Sequence, residues 1–73
     1  MKLLLIGATG QFGRRLARRL AGMELHLVLA ARREGPLREL AEELGAEWRV
    51  VDRSRPLAEL DQADLVVDAS GPF

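Results

Sequence analysis

Glycines at positions 7, 10 and 13 of this 73-residue chain frame the segment Gly7-Ala8-Thr9-Gly10-Gln11-Phe12-Gly13. Placed between a strand and a helix, that spacing suits the capture of a phosphate. Gly7 allows a tight turn off the strand, Gly10 lets the backbone approach a pyrophosphate with no Cβ in the way, and Gly13 lets the helix pack close to the sheet. The N–H groups at the helix start, reinforced by the helix dipole, then favour the anion. No Lys-Ser or Lys-Thr pair follows the glycines, which excludes the phosphate loop of nucleotide kinases. A glycine-rich connector with no ligand is the plainer alternative.

Cationic groups stand at the end of the second apolar run, in Ala30-Ala31-Arg32-Arg33. A dinucleotide site selective for NAD carries an acid there to bind the ribose hydroxyls. A carboxylate repels a 2′-phosphate, whereas a guanidinium grips phosphate in a fork and stacks on adenine. The sequence therefore favours NADP over NAD, with Arg32, first after the strand, ahead of Arg33. Solvated loop charges are the alternative for both, and Glu34 would reverse the preference if it faced the ribose instead.

Other polar residues carry two readings each. Asp52 ends the third apolar run, where a carboxylate accepts from an adenine amino group or caps a loop. Asp68 is either a satisfied polar group near the sheet edge or a site residue. His26 falls in a buried-looking strand and reads as structural rather than catalytic. Trp48 reads as core or edge packing. Arg14, Arg15, Arg18 and Arg19 read as a solvated helix face; a nucleic-acid patch is the sharper reading, but no aromatic platform or recognition motif accompanies them. The absence of cysteine excludes disulfides, thiolate metal sites and Cys nucleophiles. One histidine and no tyrosine leave few groups for proton transfer near neutral pH.

The elements that must position these residues follow from hydrophobic spacing. Lys2–Ile6 is an apolar run bounded by glycine, the pattern of a strand buried on both faces. Phe12, Leu16 and Leu20 recur every four residues beside Ala17, with the four arginines opposite, and predict an amphipathic helix that Gly22 ends. Residues 25–30 predict a second strand. Gly35-Pro36 opens a second helix with Leu37, Leu40, Ala41 and Leu44 on one face, and Gly45 stops it. Residues 48–51 predict a third strand, 56–61 a turn or two of helix, and 65–69 a fourth strand. Strands alternating with helices imply right-handed crossovers. The expected fold is α/β, a partial doubly wound (Rossmann-like) parallel sheet with strand order 3-2-1-4 and helices on both faces.

Size and charge narrow the classes further. Ordering costs about 1.5 kcal/mol per residue, so a chain this short is marginal on its own. Its fourth strand would leave an apolar edge, which invites pairing; the expected partner is the remainder of a larger enzyme or a second copy covering that edge. The 11 Lys and Arg balance the 11 Asp and Glu, which argues against broad nucleic-acid binding. The balance is segregated, however. Residues 1–33 carry seven basic side chains against Glu24 alone, and residues 34–73 carry four arginines against ten acids, so an anion would go to the first half. Apolar stretches are too short to span a membrane, and the start shows no signal-peptide pattern, so a cytoplasmic location is the expectation.

Together these segments resemble the N-terminal NAD(P)-binding Rossmann domain of the saccharopine dehydrogenase-like family. The loop followed by Arg14-Arg15-Leu16-Ala17 looks like that family's opening motif, one shared with extended short-chain dehydrogenases and their non-catalytic relatives. The ending Val66-Val67-Asp68-Ala69-Ser70-Gly71-Pro72-Phe73 looks like the family's stretch after its fourth strand. The resemblance implies a nicotinamide cofactor held by Gly7, Thr9, Gly10, Gln11 and Phe12, with Ala69, Ser70 and Gly71 lining its ribose and nicotinamide half. Residues 1–73 would then be the N-terminal part of a dinucleotide-binding domain, with the substrate and catalytic parts absent and no catalytic residue assignable. The alternative from another class is a non-catalytic NAD(P)-binding sensor or scaffold protein of the extended short-chain dehydrogenase type.

Overall fold

A computed structural model describes residues 1–51 and 62–69 of the chain. The elements run β1 (Lys2–Ile6), α1 (Gln11–Ala21), β2 (His26–Ala31), α2 (Glu34–Leu44), β3 (Glu47–Val50) and β4 (Leu65–Asp68). All strand pairings are parallel, and the order across the sheet is β3-β2-β1-β4. This is the expected doubly wound order. Helical residues 56–61, expected from the sequence, lie outside the described residues.

Side chains alternate across β1 and β2, and each face has its own core. Leu3, Leu5, Leu27, Leu29 and Ala31 cluster with Ala17 of α1 and with Leu37, Leu40 and Ala41 of α2. Leu4, Val28 and Ala30 form a second cluster on the opposite face, with Ile6, Val51 and Ala63 packed against it. Both described helices therefore share one face of the sheet. Leu4, Leu5, Leu29 and Leu37 are completely buried, each contributing about 1.5–3 kcal/mol relative to exposure.

Three expectations need correction. The buried stripe of α1 is Gly13 and Ala17, with Leu16 and Leu20 packed beside them. That is an i, i+3, i+4, i+7 set starting at Gly13, so Phe12 falls on its flank and is 57% exposed. His26 is the first residue of β2 and is exposed, not buried. Its Nε2 sits 2.9 Å from Glu47 Oε1 at the start of the neighbouring strand. Boundaries also shift by a residue: β2 and β3 are displaced from the predicted 25–30 and 48–51, and α2 opens at Glu34 ahead of Gly35-Pro36.

The two sheet edges differ in chemistry. β3 carries Glu47 and Arg49, which pair at 3.5 Å, and its Trp48 packs on the core. β4 instead shows Leu65 and Val66 exposed, the apolar edge expected from the sequence. Charged edge strands resist further pairing and apolar ones invite it.

One interhelical contact is titratable. Arg18 Nε donates to Glu43 Oε2 at 3.0 Å, joining α1 to α2. This hydrogen bond, then the charge of Arg18, holds the Glu43 carboxyl below its usual value, and Arg14 adds a smaller pull. A depressed pKa in the folded state gives stability that is complete above the unfolded carboxylate value and is lost as pH falls through the folded one. The Glu43→Gln chain should thus melt below the wild type at pH 6, with the gap closing by pH 3. Because the pair is exposed, the gap should be small, and equal gaps at both pH values would show that the ion pair contributes nothing.

Candidate functional site

The glycine segment leaves the carboxyl end of β1, where open parallel sheets place their ligands. Gly7 has φ 77°, a left-handed conformation that a side chain would strain. Its N–H and that of Ala8 both donate to the carbonyl of Ala30, at 2.8 and 3.1 Å. The loop is thereby tied to β2 two residues before Arg32. Gly10 then precedes α1 as its N-cap, with no side-chain cap. A Cβ at Gly13 would come within 2.9 Å of Ala8 Cα and of Gly7 C, and closer still to the Gly7 carbonyl oxygen. The expected close approach of helix to strand is therefore present at Gly13.

The same edge collects most of the other candidates. Arg32 follows β2 directly, and Arg33 is the N-cap of α2, again without a side-chain cap. Both are exposed, as is Glu34 in the first turn of α2. Ala69 is buried beside the loop, its N–H donating to the Ile6 carbonyl at 2.8 Å. Val51 N–H donates to Ala31 at 2.8 Å, carrying the chain to this edge. Asp52, Ser70 and Gly71 lie outside the described residues. Thr9 is half-buried, while Gly10, Gln11 and Phe12 are exposed. Asp68 is an exposed residue of β4 in register with Ile6.

Two helices thus begin at one sheet edge, and their first-turn N–H groups have no carbonyl one turn back within the helix. Such N-termini, with the helix dipoles and exposed guanidinium groups, suit an anion rather than proton transfer. Among the described residues, no cluster of His, Asp or Glu could hold a metal ion. A cavity of about 230 Å³ opens at the opposite end of the sheet, between Ala21, Leu25, His26 and Leu44. It is remote from the glycine loop.

One contributor was missed by sequence reasoning. Arg14, expected on the solvated face, is half-buried and donates from Nε to the Thr9 carbonyl at 2.9 Å. Its partner is a main-chain oxygen, which no residue pattern reveals.

Fold and loop define a Rossmann-type nucleotide-binding architecture. No family profile matches the sequence. The chain is similar to a short-chain oxidoreductase from Thermus thermophilus, with 41% identity and a TM-score of 0.79 over 94% of this chain and 36% of that one. Serine dehydrogenase from Escherichia coli aligns at 27% identity with a TM-score of 0.71, over 90% of this chain and 36% of the other. The nucleotide-binding domain of glutamyl-tRNA reductase from Thermoplasma volcanium shares the fold, with a TM-score of 0.75 at 20% identity over 93% of this chain and 47% of that one. Among curated proteins, sulfoacetaldehyde reductase 2 of Chromohalobacter salexigens is 53% identical over 47 residues, 64% of this chain and 19% of the relative. The chain therefore spans a minor part of each protein it matches. No helix among the described residues is long and apolar enough to cross a membrane.

Proposed function

We propose that this chain is the NAD(P)-binding portion of an oxidoreductase. The observation that carries the reading is the glycine loop of residues 7–13, tied through the Ala30 carbonyl to the end of β2 just before Arg32. In this reading Gly7, Thr9, Gly10, Gln11, Phe12 and Gly13 surround the pyrophosphate, and Ala69, with Ser70 and Gly71 after it, borders the nicotinamide half. Arg32 and Arg33 favour NADP, Arg32 by forked contact with the 2′-phosphate. Asp52 is the acceptor for the adenine amino group.

When bound, the nicotinamide group supplies or accepts a hydride. The residues of this chain bind and orient it, and none is assigned to the chemical step. For the whole protein, likeness to a short-chain oxidoreductase over 94% of the chain supports the short-chain dehydrogenase type, with a carbonyl compound as substrate. The saccharopine dehydrogenase-like reading is supported by the sequence of residues 66–73, most of it beyond β4. The remainder of such an enzyme would cover the β4 edge.

Titrating the chain with NADPH and, separately, NADH to millimolar concentration tests the reading. Amide shifts in two-dimensional NMR are expected at residues 7–13 and at Arg32, with NADPH binding tighter. A folded chain whose loop amides stay still with both dinucleotides would remove it.

A further inference from the structure

We propose that Arg14 is a positioning residue for the cofactor loop, holding the peptide group between Thr9 and Gly10 so that its carbonyl cannot turn toward the bound pyrophosphate. This rests on the cofactor reading above. Arg14 Nε donates to the Thr9 carbonyl oxygen at 2.9 Å. At the other end of the same peptide group, the Gly10 N–H donates to the Gly7 carbonyl at 3.2 Å. One peptide plane is therefore tied at both ends, and both ties are internal to the loop and its helix.

The hold matters because of the residue that follows Thr9. Turning a peptide plane over rotates ψ of the residue before it and φ of the residue after it, leaving the chain path nearly unchanged. Gly10 has φ −72°, and the turn would carry it to positive φ. Glycine enters that region at little cost, whereas other residues do not. The glycine that admits a pyrophosphate thus also frees the preceding peptide to turn. A turned peptide would aim the negative end of its carbonyl at the anion.

Arg14 is placed to oppose that turn, and its neighbours on α1 are not. Arg18 is occupied by Glu43 on the side facing α2. Arg15 and Arg19 are exposed. Arg14 bonds the loop although Glu43 is near enough for the Arg14 charge to act on it. A charge-assisted hydrogen bond is about twice as strong as a neutral one, so the Thr9 carbonyl is well retained.

The test compares Arg14→Met and Arg15→Met with the wild-type chain, each checked for folding by its amide spectrum. In Arg14→Met without ligand, the Gly10 amide should shift or broaden as the peptide begins to turn. NADPH should bind more weakly in proportion to the chains whose peptide has turned, roughly tenfold if about nine in ten have done so. Arg15→Met removes the same charge one residue away and should leave both readings near wild type. A Gly10 amide unmoved in Arg14→Met, or an equal loss of affinity in Arg15→Met, overturns the proposal. If the wild type binds neither NADPH nor NADH, the cofactor reading fails, and the unliganded Gly10 amide still decides the positioning role alone. If Arg14→Met does not fold, Arg14→Ala, with its higher helix propensity, takes its place under the same criteria.

Discussion

Gly13→Ala should leave the chain largely unfolded at 25 °C, a far larger effect than glycine to alanine produces elsewhere in a helix. Helix propensity alone predicts a gain of about 1 kcal/mol. Sterics reverse the sign, because the new methyl would meet Gly7 and Ala8 backbone atoms at 2.9 Å or less. Main-chain atoms fixed by the Ala30 carbonyl cannot swing aside as a side-chain tip would. Overpacking against such a wall costs about 3 kcal/mol, comparable to the whole stability of a domain this small. Gly10→Ala provides the contrast, since its Cβ would lie 3.6 Å from the Gly7 carbonyl oxygen, an ordinary contact. That chain should fold and yet lose dinucleotide binding. Urea titration separates the pair, and a Gly13→Ala midpoint near wild type would show that α1 can lift off β1 without penalty.

Arg32→Asp is expected to invert the choice between dinucleotides. With Arg32 in place, NADPH should bind at least tenfold tighter than NADH, since a forked guanidinium contact on phosphate is worth about 1.5–3 kcal/mol. An aspartate at the end of β2 would repel the 2′-phosphate and accept from both ribose hydroxyls. NADPH affinity should fall by roughly a hundredfold while NADH affinity holds or rises. The same NMR titration reads both ligands on one sample. If Arg33→Asp produces the inversion and Arg32→Asp does not, the N-cap of α2 is the contact. If neither changes the ratio, both arginines are solvated charges.

What the sequence displays and what it hides divide along physical lines. Apolar runs bounded by glycine mark the strands, and alternation with helices marks the sheet as parallel. The order 3-2-1-4 comes from reading the glycine loop after β1 as that of a dinucleotide-binding sheet, since right-handed crossovers alone also allow 2-1-3-4. Gly7 and Gly13 are legible because a backbone demand acts through residue type. Spacing puts Phe12 in the core because it cannot say which of two adjacent stripes faces the sheet. His26 reads as interior because a strand's first residue, open to solvent here, has the same neighbours in sequence as an interior one. Arg14 escapes because its acceptor is a carbonyl oxygen, present at every position. The clustering of Arg32, Ala69 and the loop at one edge is a product of the fold.

The pairing of β1 with partners on either side also fixes a timetable. β2 starts only a short way downstream, whereas Leu3 aligns with Leu65 and the Lys2 N–H bonds to an Asp64 oxygen 62 residues later in the chain. The glycine loop needs only the Ala30 carbonyl and the helix between. On a ribosome adding about 5–20 residues per second, β1, α1 and β2 would be available to one another for seconds before β4 emerges. The anion cradle would take shape in the nascent chain before β4 joins the sheet, and the pairing of β1 with β4, a contact of long sequence range, would be the slower event.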